Sequence, residues 1–81
     1  MITIKKVGNH NFVDVVWRSG KDTVGIVVIQ DEFTGKLKAY IGVGANIDEE
    51  TDIKIIADWG ARLTSEEATP FFPHLKNEDW G

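Results

Sequence analysis

The sequence predicts an α+β fold: a four-stranded antiparallel meander sheet followed by two helices packed on one face, in the order ββββαα. Three observations predict it. In the first half of the chain, segments with a period-two alternation of side chains flank one unbroken apolar run, and both patterns are marks of strands. Turn-forming clusters interrupt that alternation at Gly8-Asn9-His10-Asn11, Ser19-Gly20-Lys21-Asp22 and Asp31-Glu32-Phe33-Thr34-Gly35, and short turns join antiparallel neighbours. Beyond Asp48 the apolar residues Ile53, Ile56, Ala57 and Gly60 recur at helical spacing.

The first strand, Ile2 to Val7, sets Ile2 and Ile4 against Thr3 and Lys5. Lys5 and Lys6 suit an edge, where lysine discourages further pairing. The second strand, Phe12 to Arg18, places Val13, Val15 and Trp17 on one face and Phe12, Asp14, Val16 and Arg18 on the other. The third, Thr23 to Gln30, contains Val24-Gly25-Ile26-Val27-Val28-Ile29, six residues without a polar side chain. Such a strand is apolar on both faces and has to be covered twice. Gly35 suits a positive φ in the next hairpin. The fourth strand, Lys36 to Val43, turns Leu37, Ala39, Ile41 and Val43 inward and Lys36, Lys38 and Tyr40 outward. Sequential strands usually neighbour one another, so the expected order is β1-β2-β3-β4.

Asp48 is the expected N-cap of the first helix, with Glu49, Glu50 and Asp52 in the first turn, where the helix dipole favours anions. Ile55 and Trp59 widen its apolar stripe. Gly60 stops it, and Leu63 is placed to close a contact beyond the stop. Thr64-Ser65-Glu66-Glu67 reads as a capping box opening a second helix. Pro70 limits that helix to two turns, or else begins it with Thr69 as the cap. One of Phe71 and Phe72 is expected in the core. Residues 76–81 fray unless Trp80 docks.

Eighty-one residues make one small domain, residues 1–81, burying roughly 60–65% of its unfolded surface. Domains of this size are often reinforced by disulfides, a metal or association. The chain has no cysteine, which excludes disulfides, thiolate metal sites and a cysteine nucleophile, and leaves association. A 42% hydrophobic share is that of a globular chain. No apolar run approaches the ~20 residues of a membrane span, and Met-Ile-Thr-Ile-Lys-Lys lacks the order of a signal peptide. The expectation is a soluble, cytoplasmic protein.

The net charge of −4 divides into +2 over residues 1–40 and −6 over residues 41–81. Phosphate backbones call for clustered positive charge, so general nucleic-acid binding is not expected. The acidic half is either a solvated helix face or a surface for a basic partner.

Gly42-Val43-Gly44-Ala45-Asn46 sits where a phosphate loop would sit, yet the third glycine is missing and acids occupy the following helix start. Its glycines are read as letting the chain leave the sheet. Asp48, Glu49, Glu50 and Asp52 lack the ligand order of a calcium loop and are read as helix-start charge. His10 and His74 have no metal-ligand spacing, and neither serine is part of a nucleophile–base set. Asp58 and Arg62 are spaced for an i,i+4 ion pair. No cofactor, metal site or catalytic set is expected.

The second cover for the third strand is expected to be another copy of the chain, because the helices are assigned to one face. Val16, Val27, Ile29 and Tyr40 are the candidates for that self-association surface. Trp17, Arg18, Lys38 and Tyr40 form an alternative candidate site, in which aromatics and cations hold a small anionic ligand such as a nucleotide at a subunit interface. The first expectation is therefore a non-enzymatic interaction protein that forms homo-oligomers and binds a protein partner. The alternative is a nucleotide-binding or sequestering protein. A compact, cysteine-free, acidic α+β chain resembles in general type the small accessory proteins of phages and mobile elements, and that resemblance implies a host factor as partner.

Overall fold

The computed structural model describes residues 5–18, 23–44 and 49–81. The chain runs β1 (Lys5–Val7), β2 (His10–Arg18), β3 (Thr23–Gln30), β4 (Leu37–Gly44), α1 (Glu49–Trp59), β5 (Ala61–Leu63) and α2 (Ser65–Ala68), and closes with a 3-10 turn at Asn77–Asp79. The fold is α+β, and the strands form a meander in the order β1-β2-β3-β4-β5, antiparallel throughout. Gly35 takes the expected positive φ, 72°. The expected N-cap Asp48, the Gly20 turn and Ile2 and Ile4 lie outside the described residues.

The two helices do not share a face. Ile53, Ile56 and Ala57 of α1 pack with Phe12, Val27 and Ile29. Ala68 of α2, with Phe72, Leu75 and Trp80 of the segment after it, packs with Val13, Ile26, Val28, Leu37 and Ala39. The sheet is thus the middle of three layers. The cause is β5. The chain leaves α1 at Gly60 and adds a three-residue strand at the β4 edge, pairing Ile41 with Ala61 and Ala39 with Leu63. A strand at the edge can deliver the chain to either side, and here it crosses to the side opposite α1.

Both faces of β3 are consequently covered by the same molecule. Val27 and Val28 are each fully buried, one under each cover. The inference that a companion subunit must shield one sheet face loses its premise.

A bulge in β2 also changes the expected faces. Phe12 pairs with Ile29 and Asp14 with Val28, so two residues oppose one at that point. The extra residue resets the alternation. Val13 and Val16 fall on the α2 side, while Phe12 and Val15 fall on the α1 side.

β2 is tied to both covers. His10 Nε2 lies 2.6 Å from Asp58 Oδ1 of α1, and His74 Nε2 lies 2.6 Å from Asp14 Oδ2. Asp58 therefore pairs with His10 in place of Arg62, whose guanidinium sits 5.9 Å from the centre of the Tyr40 ring.

The capping box forms as the sequence predicts. Thr64 Oγ1 accepts from the Glu67 amide, and Glu67 Oε1 accepts from the Thr64 amide. The Thr64 amide, and after it the Thr64 side chain, hold the Glu67 carboxyl below its ordinary range. Trp80 docks: it is buried, it bridges to Leu37 in parallel, and the Gly81 amide donates to the Leu37 carbonyl at 2.9 Å.

Candidate functional site

Lys38 and Tyr40, two of the four residues expected to hold a ligand, do come together. With His10, Asp31 and Phe33 they line a cleft of about 270 Å³ beside α1. Trp17 and Arg18 end β2, and their side chains lie outside the described part of the structure. The Lys38 ammonium and the His10 ring of the cleft are engaged within the molecule. Lys38 Nζ is 3.3 Å from Asp31 Oδ2, and His10 is held by Asp58. An anionic ligand would have to displace those carboxylates.

The residues assigned to self-association do not form a surface. Val27 and Ile29 are buried beneath α1, and Val16 is half-buried on the opposite side of the sheet. Of the four, Tyr40 and the buried Ile29 line the cleft.

Among the described residues, large exposed apolar groups lie elsewhere. Trp59 is 85% exposed, Val43 64% and Ile55 38%. They lie side by side where the outer flank of α1 meets the end of β4, around a shallow groove completed by Gly42 and Gly60. The local cause is helical geometry. Ile53, Ile56 and Ala57 already fill the α1 seam, and Trp59 and Ile55 lie roughly 110° and 150° round from its centre, off the buried face. Val43 does not turn inward as the alternation of β4 predicts. It lies past the last residue paired with β5, so its side of β4 has no such neighbour. Gly42 stays within the sheet opposite Gly25, where it does not turn the chain outward. A Cβ there would come 3.3 Å from Ile56 Cγ1, so glycine lets α1 approach β4 closely. The i,i+4 pairing of Ile55 with Trp59 is visible in the sequence; its exposure is not, because it depends on how α1 is rotated.

A second apolar group stands at the other end of β4. Phe33, 96% exposed, is at the tip of the β3–β4 hairpin. Its backbone is closely held. Asp31 Oδ1 accepts from the Phe33 amide at 2.8 Å and from the Thr34 amide at 3.0 Å. Thr34 Oγ1 accepts from the Lys36 amide, and Asp31 and Lys36 close the hairpin with a 2.9 Å backbone bond.

The Thr34 and Phe33 amides, in that order, hold the Asp31 carboxyl below its ordinary value of 3.8, with Lys38 adding to the effect. A carboxyl lowered in the folded chain contributes order that is fully present above its unfolded value and is lost as pH falls through the folded one. The Phe33 and Thr34 amide resonances are therefore expected to shift together in acid, with a midpoint below 3.8. An NMR titration checks this, and a midpoint at the ordinary carboxylate value would show that the turn does not hold Asp31.

Among the described residues, no three His, Cys, Asp or Glu side chains are placed to hold a metal ion. Among the same residues, no helix is long and apolar enough to cross a membrane. Comparison with known protein families, curated proteins and solved structures finds no match to this chain.

Proposed function

We propose that this protein is a non-enzymatic interaction module that self-associates, with Trp59 as the anchor of its contact surface. The observation that carries the reading is the exposure of Trp59 beside Ile55 and Val43. A tryptophan that packs against little in its own molecule leaves a large apolar area in water. Contiguous exposed area of that kind marks interaction sites, and tryptophan is among the residues most enriched at binding hot spots. This patch replaces the sheet face as the reason to expect association. A small-ligand function has less support, because Lys38 and His10 in the Tyr40 cleft already have partners in Asp31 and Asp58.

Sedimentation velocity over a wide concentration range tests the reading. The wild type is expected to gain mass as concentration rises. Trp59→Ala is expected to remain monomeric at the same concentrations with its thermal unfolding unchanged, since the side chain contributes little to the monomer core. A wild type that stays monomeric up to millimolar concentration would remove the proposal.

A further inference from the structure

We infer that the slot filled by Trp80 is a docking site for an acidic peptide with a tryptophan anchor, and that residues 76–81 are a strap that guards the slot by occupying it. The inference goes beyond the self-association reading. The slot lies in the layer opposite α1, and Trp59 has no part in it.

The strap is held at few points. Lys76, Asn77, Glu78 and Asp79 are exposed, and Trp80 is its single buried side chain. The Trp80 ring packs 6.4 Å from that of Phe72. The backbone at Trp80 runs parallel to β4 at Leu37, and the Gly81 amide donates to the Leu37 carbonyl at 2.9 Å. Backbone pairing at a sheet edge, with one side chain set in a pocket, is a recurring mode of peptide recognition. The strap thus displays, within the molecule, the kind of segment that the slot accepts.

Two cations frame the slot. Lys36 Nζ donates to the Glu78 carbonyl at 2.8 Å, and the Arg62 guanidinium donates to the Gly81 carbonyl at 3.4 Å. Lys36 and Arg62 are exposed, and neither pairs with a carboxylate among the described residues. The segment that they grip carries the acids Glu78 and Asp79. Cations on the rim and acids on the occupant are of complementary sign, and such complementarity selects a partner.

The guard is built to yield. Trp80 Nε1 is buried with no acceptor among the described residues. Docking therefore strips the indole N–H of water and returns no bond for it. A segment with one buried anchor and exposed backbone bonds opens more readily than the whole fold. A peptide binds only the open fraction, so the strap lowers its apparent affinity by that fraction.

Hydrogen exchange and a disulfide lock test the inference. In the wild type, the Gly81 amide and the Trp80 indole N–H are expected to exchange about tenfold or more faster than the β3 amides. Equal rates would show that the strap opens only with the whole fold, and would overturn the guard. A Cβ on Gly81 would stand 3.1 Å from Lys36 Cβ, close to disulfide range, and the chain has no cysteine of its own. Oxidation of the Lys36→Cys, Gly81→Cys double variant therefore pins the strap, and reduction frees it. The probe is a synthetic copy of residues 76–81, followed through the Leu37 and Phe72 resonances. It is expected to shift them in the reduced form and not in the oxidised one. Trp80→Ala, whose own strap lacks the anchor, is expected to bind the probe about tenfold or more tighter than the wild type does. The lock, which keeps Trp80, decides the matter if Trp80→Ala does not fold. A probe that binds oxidised and reduced forms alike, or neither, overturns the site. A probe with its two acids neutralised is expected to bind severalfold more weakly, and equal binding overturns the acidic partner. Shifts that grow with protein concentration alone would assign the slot to the strap of a second copy and overturn the peptide reading. Trp59→Ala is expected to leave all of these results unchanged, so the fate of the Trp59 reading is decided separately.

Discussion

Phe72→Ala is expected to lower the free energy of unfolding by about 3–5 kcal/mol, the range for removing a buried phenylalanine. Phe72 is fully buried and sits at the centre of the layer opposite α1. That layer is thin. Its helix has four residues, and the rest is a chain segment held by Phe72, Leu75 and Trp80. The Phe72 and Trp80 rings are 6.4 Å apart, so a cavity at Phe72 also removes a wall from Trp80. A domain commands about 0.05–0.15 kcal/mol per residue, and 81 residues leave little in reserve. Loss of this one ring removes roughly a quarter or more of the whole. Urea unfolding followed by circular dichroism measures the effect. Phe71→Ala is the internal comparison. Phe71 is half exposed, and its loss is expected to shift the midpoint far less. Equal shifts would show that the second layer does not pack as described.

Most of the sheet is legible in the sequence because strand signals are local. Alternation locates β2 and β4, an unbroken apolar run locates β3, and the turn residues set their antiparallel order. Gly35 announces a positive φ, and Thr64 with Glu67 announces a helix start. The features that escape are non-local or break periodicity. A bulge at Val13 inserts one residue and inverts the expected faces of the strand beyond it, and no residue type there signals it. β5 is three residues long, too short to show alternation, yet it decides on which side α2 lies. The covering of β3 is therefore half legible: two covers are required, and both come from one chain. The candidate site is less legible. Lys38 and Tyr40 do share a cleft, but Val27 and Ile29 read as surface only while α1 is assigned to the wrong face of the sheet. Trp59 and Phe33 look like ordinary apolar residues in the sequence. Their exposure depends on the rotation of α1 and on the length of the hairpin, and neither is a property of the residues themselves.

Gly60→Ala is expected to destabilise the fold by about 2–3 kcal/mol, towards the upper end of what overpacking costs. Gly60 lies between α1 and β5, where the chain turns from the helix to the sheet edge. A Cβ there would collide with the carbonyl oxygen of Ile56 and would stand 2.7 Å from that of Ile41. Both obstacles are backbone. The Ile56 carbonyl accepts the Gly60 amide at 2.8 Å, and Ile41 pairs with Ala61 in β5. Relief requires moving the end of α1 or the β4–β5 pairing, and neither has a side-chain rotamer to spend. Gly42→Ala sets the scale. Its Cβ would meet Ile56 Cγ1 at 3.3 Å, a side-chain atom that can yield by a few tenths of an ångström. The reduced freedom of alanine in the unfolded chain offsets part of that strain, so a loss below about 1 kcal/mol is expected. Both glycines border the Trp59 groove. Gly60→Ala should therefore weaken association as well as folding, whereas Gly42→Ala should fill the groove while leaving the monomer nearly intact. If the two variants unfold at the same denaturant concentration, the close approach of Gly60 to the two carbonyls is wrong, and with it the sharp turn that carries the chain from α1 to the opposite layer.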